Sequence, residues 1–516
     1  MIINSLGRSI PENLFGKKIY PYRGIHESKI SGKRVGPSYQ RSIITRNSKR
    51  FFDSIESLIS HLSLKDGITV SFHHALREGD NVILPIMNSI SSFGLKDINL
   101  ASTALFSVHT PLKEHIESGT ISRIEGSVNG PLGKFISTGK LNLPVILRSH
   151  GGRTRAIQEG SLHVDIAFIT ASSCDLIGNL NGINGVNAFG SLGYPLDTDS
   201  LYADIVIGVT DTVSSEPLDH ISIPSSRVDY ILEVDSIGNP KKIASGSLDR
   251  KVPEKRLKIV ETVIEVIKLS EQFKNGLNWQ AGAGGMSLAA SNYLKDLMLD
   301  SGVEGGYIFG GIEKNSVEML REGIFKRIYD AQSFDITAIE SLRTHKHHVE
   351  VSIDHAYNPF NKGCIANHTD FSVLGATEVD LNFNVNVNTF SNGILNSGIG
   401  GHQDAARAKI SMIVIPIARR VPTIVKQVTT VSTPGDSIDI IITEEGVAVN
   451  PHSSIRREKL KNELEKTGIK LRKIDDLHAE SVSSAPVCEL NQTDQIYGLI
   501  EYRDGTHLDV LYQIEE

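Results

Sequence analysis

The feature that most constrains this chain is a short apolar run, rich in β-branched residues, that recurs between helix-like stretches. The first half carries it as "INLASTALFS", "LPVILRSH", "VDIAFIT", "ADIVIGVT" and "VDYILEVD". The second half carries it as "YIFGGI", "VEVSID", "KISMIVIPIA" and "SIDIIITEEGVAVNP". Runs of this length without polar alternation predict strands buried on both faces. Helical segments between them predict parallel sheets and an α/β fold. The strongest run, Met412 to Ala418, contains Pro416 and suits a buried strand. No stretch reaches the roughly 18 apolar residues of a membrane span, so no membrane is expected. The segment Met1 to Tyr20 is broken by Glu12 and Asn13 and does not read as a signal peptide.

With 516 residues, the chain has room for two to four domains of roughly 100–200 residues. Residues 1–50 are polar and read as an N-terminal arm, with "HESKISGKRVGPSYQRS" as an extended lead-in. A polar stretch, "NPKKIASGSLDRKVPEKR", marks a boundary near 240–275. The division expected is therefore a first α/β lobe over 51–250 and a second over 251–516, similar in size. An amphipathic helix opens the second, with Leu257, Val260, Val263, Ile264 and Ile267 on one stripe. Pro253 falls where a first turn tolerates it. A charged helix over 457–468, stopped by Gly468, is expected as the last element.

Net charge is −7, from 53 Lys and Arg against 60 Asp and Glu. That argues against a nucleic-acid binder with a generally basic surface. Cys174, Cys364 and Cys488 make neither a disulfide framework nor a cysteine-rich zinc site, which points to a reducing, cytoplasmic setting. No Gly-Lys pair is followed by Ser or Thr, so there is no Walker A loop. "GAGGMS" and "GIGGHQ" each miss the third glycine of a dinucleotide fingerprint. "GMSLA" misses the last glycine of a nucleophile elbow. His345, His347, His348 and His355 cluster without metal-ligand spacing, and no metal is expected.

Four glycine-rich turns remain: 127–133, 148–155, 278–287 and 396–407. Each bares backbone N–H groups able to form an anion nest or an oxyanion site. The second adds Arg148, Arg153 and Arg155, whose planar forks suit carboxylate or phosphate. The residues alone thus give an α/β protein with loops built for oxyanions.

Longer strings carry a resemblance. "LGATEVDLNFNVN" followed by "GIGGHQDAARAK" is similar to the CoA-transferase superfamily, with His402 standing before Gln403 and Asp404 of the glycine loop. "SVHTPLKEHIESGTISRIEGSVNGPLG" through "GYPLDTDSLYADIVIGVTD", with "QAGAGGMSLAA", "EGGYIFGGI", "FDITAIESLR" and "DHAYNPFNKGC", resembles the alpha subunits of bacterial citrate lyases from about residue 15 onward. The resemblance implies two CoA-transferase-like lobes with the active site between them. It implies exchange of acetate for citrate on the thiol of an acyl-carrier (gamma) subunit, whose arm is phosphoribosyl-dephospho-CoA, with acetyl-CoA as a substitute. It implies a hetero-oligomer with a separate beta subunit that cleaves the citryl thioester.

Many CoA-transferases use a glutamate nucleophile. Here that position aligns with Gly306, and Glu304 lies two residues away. The resemblance therefore implies a ternary complex in which citrate itself attacks the thioester. Gly400 and Gly401 are the expected oxyanion donors, with Gln403 and Asp404 shaping the loop. Asn129, Gly130, Arg148, Gly151, Gly152, Arg153 and Arg155 are the expected binding residues. Glu378 and Asp380 belong to the family strand motif, with site and structural roles both open. Rival readings are a transferase or hydrolase for citramalate or another short acid, and a catalytically silent scaffold.

Overall fold

The computed structural model describes residues 1–24, 50–244, 252–282, 284–451 and 455–515. Two sheets dominate. The first has seven strands in the order Phe51–Phe52, Tyr230–Glu233, Ile205–Thr210, Ile166–Thr170, Thr69–Phe72, Ile98–Ser102 and Ile121–Ile124, all parallel. The second has eight: His348–Glu350, Phe325–Ser333, Gly305–Ile312, Leu277–Ala281, Phe371–Gly375, Ile410–Val414, Ile440–Thr443 and Gly446–Val449. Only its last pair is antiparallel.

The apolar runs are buried on both faces, as their lack of alternation predicts. Along Ile410–Val414, residues Ile410, Met412 and Val414 face one core, while Ile413 joins the other. Pro416 falls just beyond that strand, where it removes no ladder hydrogen bond. The helix Leu257–Leu269 forms, but its buried stripe is Ile259, Val260, Val263, Val266 and Ile267, with Leu257 and Ile264 partly exposed. Pro253 stands one short turn earlier, ahead of Glu254–Arg256.

Residues 1–24 of the N-terminal arm pack onto the body of the molecule. Ile10 and Ile19 share a core with Leu499 and Val510, and Arg8 Nε hydrogen-bonds Asp509 at 2.9 Å. The lead-in fragment 26–42 lies outside the described residues. The helix Ile455–Glu465 is not the last element, since Ile474–Ser484 and the hairpin strands Gln492–Glu501 and His507–Ile514 follow. That hairpin, which the division at residue 250 assigns to the second half, pairs with the first half. Gln492–Glu501 lies parallel to Val145–Leu147, and Tyr497, Ile500, Tyr502, Leu508 and Leu511 enter the first core.

The two halves also repeat one plan. Asp165 Oδ2 accepts from the Thr69 amide at 2.7 Å, and Asp370 Oδ2 from the Asn278 amide at 2.8 Å. Asp229 Oδ2 takes the Val206 amide, and Asp439 Oδ2 the Ser411 amide, at 2.8 and 2.9 Å. Asp175 Oδ1 caps the Ile177 and Asn179 amides as Asp380 Oδ1 caps those of Asn382 and Asn384. Asp380 is thereby given a structural role: it closes a turn of its own strand motif.

Candidate active site

In each sheet the chain reverses direction of growth once. In the first the reversal falls between Thr69–Phe72 and Ile166–Thr170, and in the second between Leu277–Ala281 and Phe371–Gly375. Ligands of open parallel sheets bind beyond the carboxyl ends of strands at such points. A cleft of about 420 Å³ lies there, lined from the first half by His74, Phe106, Asn129 and His150, and from the second by Gln280, Gly310, Gly375 and Gly401, among others.

All four glycine-rich turns converge on this cleft, which is lined by Ser127 and Asn129, by His150, by Gln280, Ala281, Gly282 and Gly284, and by Asn396 to His402. Close approach explains the glycines. A Cβ on Gly398 would overlap the Ser127 side chain, and one on Gly151 would overlap the Tyr357 carbonyl. The 148–155 and 396–407 turns bond directly. The His150 N–H donates to the Gly400 carbonyl at 2.9 Å, and the Gly151 N–H donates to Asp404 Oδ2 at 3.0 Å.

Of the expected oxyanion donors, Gly400 and Gly401 line the cleft, and neither amide N–H has an acceptor among the described residues. Gly400 has φ +60, which glycine adopts with little strain. Gln403 and Asp404 stand behind the loop, both fully buried. Gln403 Nε2 donates to the carbonyls of Ser432 and Glu501 at 2.7 and 3.1 Å. Asp404 also accepts from Ser149 Oγ at 3.2 Å and lies 3.0 Å from Arg503 Nε. Burial pushes its carboxyl up to about 6 against the pull of Arg503.

Asn129 lines the cleft and spends its Nδ2 on the Leu105 carbonyl at 2.7 Å. Gly130 and Gly152 stand beside it without lining it; the Gly130 amide donates to the Asn396 carbonyl at 3.3 Å and the Gly152 amide to Ser149 Oγ at 3.0 Å.

The three arginines are where the sequence reading goes astray. Arg148 is buried between Glu125 and Glu501, at 3.0 Å from the latter. Arg153 forks onto Asp199 at 2.9 and 2.8 Å. Arg155 pairs with Glu501 and Glu159. None lines the cleft, because each charge is already balanced inside the first half. The histidine cluster is likewise local: His348 is buried between Asp330 at 3.1 Å and Ser341 at 2.9 Å, and His345 caps the helix Ile336–Thr344. Glu304 is 61% exposed, pairs with Lys326 at 3.1 Å and is outside the cleft.

Several lining residues escaped the sequence reading. His150 Nε2 lies 3.1 Å from Tyr194 Oη, and burial, with Arg153 and Arg77 nearby, pushes the imidazole down to about 3. His402 is held neutral in the same way; its Nε2–H donates to the Gly375 carbonyl at 3.1 Å, and its Nδ1 accepts from Thr433 at 2.8 Å. Tyr357 Oη sits close behind Gly310 and Gly401. Arg77 lines the cleft with its guanidinium over Phe106, 4.6 Å from the ring centroid. Among the described residues, no Asp, Glu, Lys or Cys lines the cleft.

The internal repeat extends to the cleft but is broken there at one position. Gly193 is to the first half what Gly400 is to the second: its carbonyl accepts from the Ile353 N–H at 3.0 Å, as that of Gly400 accepts from His150. The next residue is Tyr194 in one half and Gly401 in the other. The tyrosine side chain and the bare Gly401 both line the cleft.

The chain is similar to known proteins along nearly its whole length. The profile of the family "Citrate lyase, alpha subunit (CitF)" matches residues 48–514. The citrate lyase alpha chain of Haemophilus influenzae is 40% identical over 477 residues, 92% of this chain and 94% of that one. The Klebsiella pneumoniae chain is 38% identical over 475 residues, 91% and 92% of the two chains. A crystal structure from Streptococcus mutans, described as the alpha subunit of citrate lyase in complex with citrate, superimposes with a TM-score of 0.93 at 39% identity, covering 99% of this chain and 100% of that one. The malonate decarboxylase alpha subunit of Acinetobacter baumannii shares the fold alone, with a TM-score of 0.61 at 14% identity over 84% and 93% of the two chains. A profile match over most of the chain, and relatives near 40% identity along the same length, place this protein in the citrate lyase alpha-subunit family.

Proposed function

We propose that this chain is the transferase of a citrate lyase: it moves a thiol from acetate to citrate, converting an acetyl thioester and citrate into a citryl thioester and acetate. The thiol belongs to CoA or to the phosphoribosyl-dephospho-CoA arm of an acyl-carrier subunit, and a beta subunit of the same complex cleaves the product. Family membership supports the activity and the multi-subunit setting.

The observation that carries the mechanism is the composition of the cleft. It offers free amides at Gly400 and Gly401 and, among the described residues, no carboxylate or thiol to serve as a nucleophile. A carboxylate oxygen of citrate then attacks the acetyl carbonyl carbon. The C–S bond breaks, giving thiolate and a mixed acetic–citric anhydride. The thiolate attacks the citryl carbonyl of the anhydride, and acetate leaves with the bridging oxygen. Each attack builds negative charge on a carbonyl oxygen. One donor aimed at such an oxygen is worth about 3 kcal/mol, and holding both reactants in one cleft contributes several more.

A single-turnover reaction of the purified chain with acetyl-CoA and carboxylate-18O citrate tests this, with citryl-CoA and acetate read by mass spectrometry. Citryl-CoA with 18O in the first acetate released is the expected result. Unlabelled first-turnover acetate, or a borohydride-trapped acyl or CoA ester on a protein glutamate, overturns the ternary route.

A further inference from the structure

The exchange as written makes no use of Arg77, the only charged side chain other than histidine that lines the cleft among the described residues. Its Nε is buried and has no acceptor, and no hydrogen bond or ion pair to its guanidinium exists among the described residues. The neighbouring Glu78 makes no hydrogen bond to it among the described residues; its carboxylate oxygens accept from the Ser107 and Val108 amides at 3.2 and 3.0 Å. Phe106 at 4.6 Å and Phe334 at 5.6 Å flank the guanidinium and supply no acceptor. The backbone of Arg77 is held at φ +52, where a glycine would be less strained. A half-buried guanidinium with no hydrogen-bond acceptor, on a strained backbone, leaves a donor fork facing the cleft that the fold does not use.

We propose that Arg77 is the specificity-determining residue of the cleft: its guanidinium binds a carboxylate of the acceptor acid other than the one that reacts, so the site selects a di- or tricarboxylate over acetate. This rests on the reading of the cleft as the site of an anionic acceptor acid. A monocarboxylate commits its one carboxylate to the attack beside the Gly400 and Gly401 amides and offers nothing to a second cation. A polycarboxylate reaches both, and a planar fork matches its second carboxylate in two hydrogen bonds. His74, His150 and His402 do not substitute, because burial keeps all three imidazoles neutral. Arg77 is thus the fixed charge of the cleft.

The test compares wild type, Arg77→Gly and Arg77→Lys in the full chain. Melting temperature is followed with citrate, tricarballylate, succinate and acetate, citrate affinity by calorimetry, and citryl-CoA formation by mass spectrometry. Citrate and tricarballylate should raise the wild-type Tm, and acetate at the same concentration should not. Arg77→Gly should lose citrate affinity by roughly 10- to 150-fold, the range for a hydrogen bond to a charged group. Its ligand-free Tm should equal or exceed that of wild type, because glycine relieves the backbone; a merely structural arginine would lower it. Arg77→Lys, which keeps charge without the fork, should fall between.

Citrate affinity within twofold of wild type in Arg77→Gly overturns the assignment, as does equal protection of wild type by acetate. Undiminished citryl-CoA formation by Arg77→Gly overturns it while leaving the exchange reaction standing. Polycarboxylate protection that vanishes in Arg77→Gly, without citryl-CoA formation by wild type, sinks the exchange reaction and leaves the role of Arg77 standing.

Discussion

Arg153 and Asp199 show what a buried charge demands of its neighbours. Asp199 accepts from Arg153 in two places and from Thr198 Oγ1 at 2.9 Å, and also from Ser71. Removing one partner of such a pair strands the other in a medium of low polarity, which costs about 3–5 kcal/mol. Arg153→Ala is therefore expected to lose that much stability in urea unfolding, while the protein that remains folded keeps its KM for citrate within about twofold. Two buried carboxylates contribute pH-dependent terms of opposite sign. Despite its burial, Arg153 holds Asp199 down to about 2, so its stabilisation is present above the ordinary value of 3.8 and is lost as pH falls from there toward 2. Asp404, pushed up to about 6, does the opposite: the folded state holds its proton where the unfolded chain has released it, so this term weakens as pH rises from about 4 to 6. Urea unfolding of wild type and of the two variants between pH 2 and 7 isolates each contribution as a difference. Asp199→Asn should remove the rise between about pH 2 and 4, and Asp404→Asn the fall between about pH 4 and 6.

The paired glycine loops and the hairpin are elements that act on one another across the sequence. Since Tyr194 occupies in one half the place of Gly401 in the other, Gly401→Tyr should fold and yet lose at least about 10²-fold in kcat, by filling the cleft in front of the free amides. Circular dichroism checks the first half of that expectation and citryl-CoA formation the second. At Gly498, a Cβ would come within 2.7 Å of both Leu511 Cδ1 and Val145 Cγ1; Gly498→Val should therefore cost about 1–3 kcal/mol through overpacking, read as a lower urea midpoint. These elements were not equally legible. The strands and the four glycine turns declare themselves locally, because burial on both faces forbids alternation and close backbone approach forbids a Cβ. The arginines of 148–155 do not, since nothing near them in sequence reveals that Glu501 lies opposite Arg148 and Arg155, and Asp199 opposite Arg153. Arg77 stayed hidden for the converse reason: its significance is the absence of a partner, which appears only when Glu78 is seen turned to other amides. The repeat of the two halves is written in aspartates 165, 175 and 229 against 370, 380 and 439, but so many residues apart that only matched hydrogen bonds reveal it.

The whole molecule is held as one body by contacts that cross its midline. Gly151 bonds Asp404, Ile353 bonds Gly193, and the hairpin 492–514 closes the first core. Trp279 is the single tryptophan and is fully buried in the second core, its Nε1–H on Ser291 Oγ at 3.1 Å. Its emission reports the second half, whereas far-ultraviolet circular dichroism reports both. Their urea transitions should coincide, and an earlier circular-dichroism transition would show the halves unfolding separately. No helix among the described residues is long and apolar enough to cross a membrane. The hairpin also bears on how the protein is made. Arg148 and the Glu501 that balances it are 353 positions apart. At synthesis rates of about 5–20 residues per second, roughly 20–70 s separate their appearance on the ribosome. Through that interval the nascent first half holds Arg148 and Arg155 without their shared carboxylate and Val145–Leu147 as an open edge, so its maturation is timed by translation of the hairpin.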